Sequence, residues 1–465
     1  MTLVPAPLQW VLSARDDRHG QVLRLSPQAP IYPGVDACGH AQAPARLWVD
    51  SRRRFQTLEG FGGAFTEAAA TTWLKLSPRQ RDALLSAYFD ANAGHGYTLC
   101  RVHMNSCDFA LGNYAHVEAD GDFSLEGFSI DRDRQALLPM IQAAQRITQA
   151  ANRPLKLLVS PWSPPGWMKD NGRMNEGGRL RPECREAWAQ CFVRFIRAYE
   201  AEGVPVWGVS VQNEPEARQR WDSCLYTAEE ERDFVRDHLG PALHSAGLSH
   251  VRVVIWDHNR DAMVERASVI YGDAEAAKYI WGTGFHWYME NHFEHVQLVH
   301  DAWPDKQLLF TEGCQEGGPH WGRWELAERY AQSIIQDLNH WTVGWIDWNL
   351  LLDEQGGPNH VGNFCSAPML AVPAEDGLHA QSSFAALGHF ARYVKPGAQR
   401  VLCAATREAL ECTAFANPDG SIAIVVLNRS EHDLAFSLAV DGTTYAADLP
   451  AHAIASYVRA GSASA

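Results

Sequence analysis

Val206-Trp-Gly-Val-Ser-Val-Gln-Asn-Glu-Pro215 is an apolar run that stops abruptly at an amide, a carboxylate and a proline. So few polar positions before Gln212 mark a strand buried on both faces, which is the texture of a parallel sheet covered by helices. The same texture recurs at residues 58–65, 97–104, 155–160, 251–257, 280–287, 307–311 and 343–349. Between most of these runs lie longer amphipathic stretches of helical period, at 133–151, 183–202, 229–245, 324–339 and 381–393. Eight such units make an α/β protein and fit a closed (β/α)8 TIM barrel. An open doubly wound sheet shares this periodicity, and periodicity alone leaves both architectures standing.

Outward from the barrel the texture changes. Beyond Lys395-Pro-Gly397 the strands at 400–404, 410–415, 421–427, 434–440 and 454–458 follow one another without helices. They are broken at Asn417-Pro-Asp-Gly420 and Val440-Asp-Gly442, where Asp and Gly accept the backbone angles of tight hairpins. Residues 9–14, 21–25 and 47–49 also read as strands, and they precede the barrel with no helix between them. The expectation is a small antiparallel β-sandwich side domain built from both termini, residues 1–56 and 396–465, beside a catalytic barrel of 57–395.

Composition narrows the function. The 465 residues are 46% hydrophobic and 20% charged, as in ordinary globular proteins. A net charge of −15 without blocks of like charge argues against nucleic acid or an anionic membrane as partner. No segment approaches the roughly 18 apolar residues of a membrane span. Residues 1–7 show no signal peptide, and the ten cysteines form no CxxC pair, so reduced thiols and a cytoplasmic protein are expected. Seventeen tryptophans favour a carbohydrate cleft, where flat apolar faces stack on sugar rings.

A barrel carries its chemistry at the C-terminal ends of its strands. Those ends read Arg101-Val-His-Met-Asn-Ser-Cys-Asp108, Ser160-Pro-Trp162, Gln212-Asn-Glu-Pro215, Trp256-Asp-His-Asn259, His286-Trp-Tyr288, Thr311-Glu-Gly313 and Trp345-Ile-Asp-Trp-Asn349. Two carboxylates, Glu214 and Glu312, follow directly from apolar strands. Hydrolysis of a glycosidic bond needs one carboxyl group to donate a proton and another to attack or to activate water. Asn213 beside Glu214 suits a hydrogen bond to a sugar 2-hydroxyl. Taken singly, either glutamate could be a rim ion-pair partner; together, among so many aromatics, they point to a glycosidase.

The ordered motifs Gly60-Phe-Gly-Gly-Ala-Phe-Thr-Glu67, Ser106-Cys-Asp-Phe109, Ser160-Pro-Trp162, Asn213-Glu-Pro215, His286-Trp-Tyr288, Asp347-Trp-Asn349 and Gly356-Gly-Pro-Asn359 resemble glycoside hydrolase family 30 over nearly the whole chain, in its acid β-glucosidase (glucosylceramidase) branch. The resemblance implies a retaining mechanism with Glu214 as acid/base and Glu312 as nucleophile. It also implies that Asp108, Trp162, Asn213, Trp348 and Asn363 hold the sugar, that Tyr288 bonds the nucleophile, and that Trp287 and Trp221 touch the leaving group. The implied partner is a carbohydrate or glycoconjugate with a β-linked sugar, and neither cofactor nor catalytic metal is expected. Thr311-Glu-Gly-Cys314 replaces the Ser-Glu-Ala-Cys of the animal enzymes, and the loop at 216–222 is shorter and more charged. Relatives acting on β-xylosides or β-1,6-glucan, and a non-catalytic carbohydrate-binding relative, are the alternatives.

Other chemistries fit less well. His292-x-x-His295 and His300 share a helical stretch, yet no HExxH or His-x-His pair is present to suggest a metal hydrolase. Gly208-Val-Ser-Val211 lacks the second glycine of a serine-hydrolase elbow. Gly60-Phe-Gly-Gly63 lacks the spacing of a dinucleotide loop.

Overall fold

A computed structural model describes residues 6–15, 25–34 and 45–461. Its centre is a closed barrel of eight parallel strands: Gly60–Phe65, Leu99–Met104, Lys156–Pro161, Gly208–Ser210, Arg252–Asn259, Ile280–His286, Gln307–Glu312 and Thr342–Asn349. Closure comes from the last strand pairing with the first, Gly344 opposite Gly60. The open-sheet alternative is thereby removed. Leu99, Leu158, Val254, Leu309 and Ile346 fill the barrel interior, and a larger apolar layer packs the outer strand faces against the helices.

All eight expected strands are present, and the helices at Leu137–Ala150, Arg185–Ala201, Glu325–Asn339 and Ser382–Ala391 match their amphipathic stretches. The stretch 229–245 is less regular than its pattern implies. It starts as Ala228–Phe234, widens into a π turn at Val235–Leu239, and resumes as Gly240–Ser245. Pro241, which has no N–H to offer the preceding turn, stands where the regular ladder would otherwise continue.

The second body is one nine-stranded sheet containing Leu8–Ala14, Ser26–Pro27 and Ala45–Thr57 from the N-terminal part and six strands from 399 onward. The sheet folds over on itself. Phe436 and Tyr457 lie on strands five places apart in the order, yet their rings meet edge-to-face at 6.3 Å. Two inner faces packed this way make a sandwich. It is not wholly antiparallel, because Leu434–Val440 runs parallel to Ala45–Thr57. It also contains a strand that the sequence reading lacks, Thr443–Leu449, paired with Leu434–Val440 across the Asp441-Gly442 turn. The expected strand at 21–25 lies outside the described residues except for Leu25, which belongs to no strand.

The 13-residue strand Ala45–Thr57 ties the two bodies together. It leaves the side sheet, passes Gln56, whose amide donates to the carbonyls of Leu338 and Thr342, and turns into the first barrel strand. His389 makes a second tie, with Ser13 at 3.0 Å and Ser456 at 2.8 Å on two side-sheet strands.

Candidate active site

Three barrel strands change register where they deliver polar groups. The shifts lie between Trp256 and His258, between Phe310 and Glu312, and between Asp347 and Asn349. A bulge re-aims the side chain that follows it, here toward the barrel mouth. The fourth strand is brief, but the chain beyond it still bonds alternately to its neighbours: Asn213 N–H to Pro161 and Glu214 N–H to Asp257. Glu214 then adopts a left-handed backbone with φ +46°, a conformation uncommon for a residue with a Cβ.

The two carboxylates and His286 converge, with one donor atom from each lying within 4.8 Å of the others. Retaining glycosidases keep their carboxyl groups about 5–5.5 Å apart, and inverting ones keep them farther apart. Glu312 accepts from Arg101 at Oε2 and from the Tyr288 hydroxyl at Oε1, 2.9 Å away. Arg101 is fully buried. Its Nε donates to Ser160, and its Nη2 donates to Asn213 Oδ1 and Asp257 Oδ2, each at 2.8 Å. Asp257 also accepts from Ser210, and its other oxygen lies 3.0 Å from His286 Nε2. A buried cation is stable only when so surrounded by acceptors.

These contacts fix the electrostatics. Although burial opposes its charge, Asp257 is held far below the usual carboxylate range by Arg101 and His286. Burial also works against the His286 cation, but Glu312, Asp257 and Glu214 raise it to about 9. Burial and the charge of Glu214 raise Glu312, whereas His286 and His258 outweigh burial and lower Glu214. Carboxylates this close titrate as a pair. Glu312 Oε2 faces Arg101, which can only donate, whereas Oε1 faces a hydroxyl that can donate or accept. The shifts alone place a shared proton on Glu312, whereas the fixed Arg101 charge favours Glu312 as the carboxylate.

Around this centre lies a cavity of about 340 Å³. Its wall includes Asp108, Trp162, Glu214, Trp221, Tyr288, Glu312, Trp348 and Asn363, all expected from the sequence. Trp162 and Trp348 stack at 5.0 Å, with the Arg101 guanidinium 4.7 Å from the Trp162 ring. Asn359 and Asn363 each donate to Asp108 Oδ2 at 3.1 Å, while burial pushes Asp108 up to about 7. Asn213 lies beside Glu214 but is held by Arg101 and is not on the cavity wall.

Trp287 is a correction. It is buried away from the cavity, packed against Phe310, Tyr330 and Trp345, with Arg329 4.4 Å from its ring. The strand ends at His286, and the chain beyond it carries Tyr288 onto the cavity wall and packs Trp287 on the other side. Gly313 makes room for it: a Cβ there would lie 2.8 Å from the Trp287 ring and 2.7 Å from Phe310. The wall also holds His258 and Cys314, from stretches the sequence marks, and Gln219, Met289 and Cys365, which it does not single out. Arg101, a lone charge inside an apolar strand, was the available signal for the network behind the wall.

A closed parallel barrel with two facing carboxylates at its C-terminal mouth and a paired-tryptophan pocket defines a glycoside hydrolase. Residues 58–394 match the glycosyl hydrolase family 30 TIM-barrel domain and residues 397–457 match the family's beta sandwich domain. The chain belongs to glycosyl hydrolase family 30, a family of retaining enzymes. It is 37% identical to the lysosomal acid glucosylceramidase of Mus musculus over 412 residues, covering 84% of this chain and 79% of that one. The crystal structure of SrfJ from Salmonella typhimurium superposes with a TM-score of 0.90 at 36% identity, covering 98% of this chain and all of that one. An endo-1,6-beta-D-glucanase of Neurospora crassa is 27% identical over 402 residues, 82% of this chain and 80% of that one.

Proposed function

We propose that this hydrolase releases one β-linked glucose at a time from a glycoside with an apolar aglycone, using Glu312 as nucleophile and Glu214 as acid/base. The observation that carries the division of labour is the unequal surroundings of the pair. Glu312 faces Arg101 and Tyr288, two donors that favour its carboxylate, whereas Glu214 faces His286 at 3.5 Å.

In the first step Glu312 attacks the anomeric carbon while Glu214 gives its proton to the departing oxygen. Once Glu312 is esterified its negative charge is gone. Glu214 then ionises more easily, assisted by the His286 cation, and takes a proton from the incoming water. As it does so, the water oxygen bonds to the anomeric carbon and displaces the Glu312 carboxylate. Every group in this cycle belongs to the chain. Because His286 and His258 lower Glu214, the proton it must donate is held best on the acid side.

Pockets for small ligands run from about 300 to 1,000 Å³, so about 340 Å³ suits one sugar ring and the start of an aglycone. Leu111, Met289, Trp321 and Phe364 are exposed on loops after the second, sixth, seventh and eighth strands, at the face where an aglycone emerges. They support a lipid-like leaving group, as in the substrate named for the mouse relative, over a polymer of sugars. The nine described cysteines form no disulfide, which supports a reducing, cytoplasmic setting. Among the described residues no helix is long and apolar enough to cross a membrane.

The test is a panel of glucosylceramide in mixed micelles, an aryl β-glucoside, an aryl β-xyloside and β-1,6-glucan. Release of glucose from the first two should dominate kcat/KM. Oligosaccharides released from inside β-1,6-glucan at a higher kcat/KM would overturn both the sugar-by-sugar action and the apolar aglycone.

A further inference from the structure

The cycle leaves unused a group that the sequence brought forward, the histidines after the sixth strand. His300 separates from the others and stacks on Trp341 at 3.8 Å. His292 and His295 instead lie face to face, ring centroids 4.7 Å apart, at the start of the helix Phe293–Ala302. Glu294 stands between them, its Oε1 3.3 Å from His292 Nδ1 and 3.9 Å from His295 Nε2. We infer that His292, Glu294 and His295 form a binding site for a borderline divalent cation, Zn²⁺ foremost, apart from the catalytic carboxylates.

The hydrogen bonding behind the histidines carries this further than their proximity. His295 Nδ1 lies 3.2 Å from the carbonyl of Arg260, which can only accept. Nδ1 therefore holds the ring proton, and the bare Nε2 faces Glu294. His292 Nδ1 is hydrogen-bonded to Glu294 Oε1 at 3.3 Å, so a cation bound there displaces that proton, while Glu290 Oε2 lies 3.7 Å from Nε2. The Arg260 carbonyl behind the non-ligating Nδ1 of His295 is the usual support of a metal-binding histidine. In a tetrahedral zinc site with bonds near 2.0–2.1 Å, neighbouring donors lie about 3.3 Å apart. Of the three pairs, His292–Glu294 already meets that spacing, His295–Glu294 stands at 3.9 Å, and all three donor atoms lie within 4.8 Å of one another.

His292 has a left-handed backbone, φ +37° and ψ +41°, a conformation uncommon for residues with a Cβ although histidine adopts it more than most. It serves as no side-chain cap for the helix, so the strained turn is not explained by capping. Its observed product is the stacked pair of imidazoles. Two imidazoles and one carboxylate select zinc-like ions over Mg²⁺ and Ca²⁺, which favour oxygen donors. The other converging set, Glu214, His286 and Glu312, is a poor competitor, because the Arg101 cation already occupies Glu312. The proposed site is four residues from Tyr288 and three from Met289 on the cavity wall, so a bound ion pins the loop that carries both.

Titration calorimetry of the intact chain with ZnCl₂ in a non-chelating buffer tests this. The expected result is one saturable Zn²⁺ per chain, not displaced by excess Mg²⁺, and a Zn²⁺-dependent rise in Tm. His292→Gln and His295→Gln should each weaken binding about 10–100-fold or more, since even loss of a supporting contact costs that much. Both variants should hydrolyse an aryl β-glucoside as the parent does without metal, which confirms that they fold. No saturable binding by the parent, or unchanged binding by the double variant His292→Gln/His295→Gln, would overturn the site. Neither result bears on the roles proposed for the two catalytic glutamates.

Discussion

Arg101 donates to Glu312 from beneath the barrel mouth, a fully buried guanidinium set against the proposed nucleophile. With Tyr288 on the other oxygen, it holds the carboxylate in one orientation and one charge state. Removing the weaker of the two donors leaves the buried charge pair intact. Tyr288→Phe should therefore lower kcat on an aryl β-glucoside about 10- to 150-fold, the equivalent of about 1.5–3 kcal/mol for a hydrogen bond to a charged group. A kcat within twofold of the parent would mean that Tyr288 does not act on Glu312 during turnover.

The two glutamates can be told apart by product stereochemistry. With Glu312→Gly, azide should displace the aglycone directly and yield the α-glycosyl azide after one inversion. With Glu214→Gly, the ester on Glu312 still forms, and azide should yield the β-glycosyl azide after two. Chromatography and NMR of the products would decide, and reversed anomers would exchange the roles. Glu214→Gln should cost about 10²–10⁴-fold, and less with an activated leaving group.

His286 sets the alkaline side of the pH profile. It is cationic up to about 9 and helps to lower Glu214. In His286→Gln the cation is gone, the pKa of Glu214 rises, and its proton is retained to higher pH. The alkaline limb of kcat/KM should move upward, even though the maximum rate falls. A limb that stays in place belongs to another group.

Acid should loosen the fold. Burial lowers His389 and His95 to about 3, so the folded protein keeps both neutral. The unfolded chain protonates them near pH 6.5. Between those values the unfolded state binds more protons, so stability is full above about 6.5 and falls as pH drops toward 3. Thermal melts from pH 7.5 to 4 should show a falling Tm. His389→Gln, which keeps polar atoms near Ser13 and Ser456, should flatten the fall. An equal slope in parent and variant would remove His389 as a cause.

Much of this was legible in the sequence because burial on both faces leaves a plain trace. Residues 307–312 and 342–349 are buried almost throughout around apolar centres, and each ends where chemistry begins. Thr443–Leu449 left a fainter one: only Tyr445, Ala447 and Leu449 turn inward, and the small or polar residues between them read as loop. The glutamates stood out by position, whereas the Arg101 network joins six strands and becomes visible only when the barrel closes. Trp287 shows the opposite error. Two neighbouring aromatics after a strand both suggested sugar contacts, yet only Tyr288 lies on the cavity wall.

The left-handed backbone of Glu214 sets conformation against chemistry. Glycine accepts φ +46° without strain, so a Glu214→Gly chain should melt above its parent while losing its proton donor. Selection for durability alone would erode this position. A glutamate persists there only while turnover itself is under selection, so a homologue that kept the turn and lost the acid would bear the mark of a fold retired from catalysis.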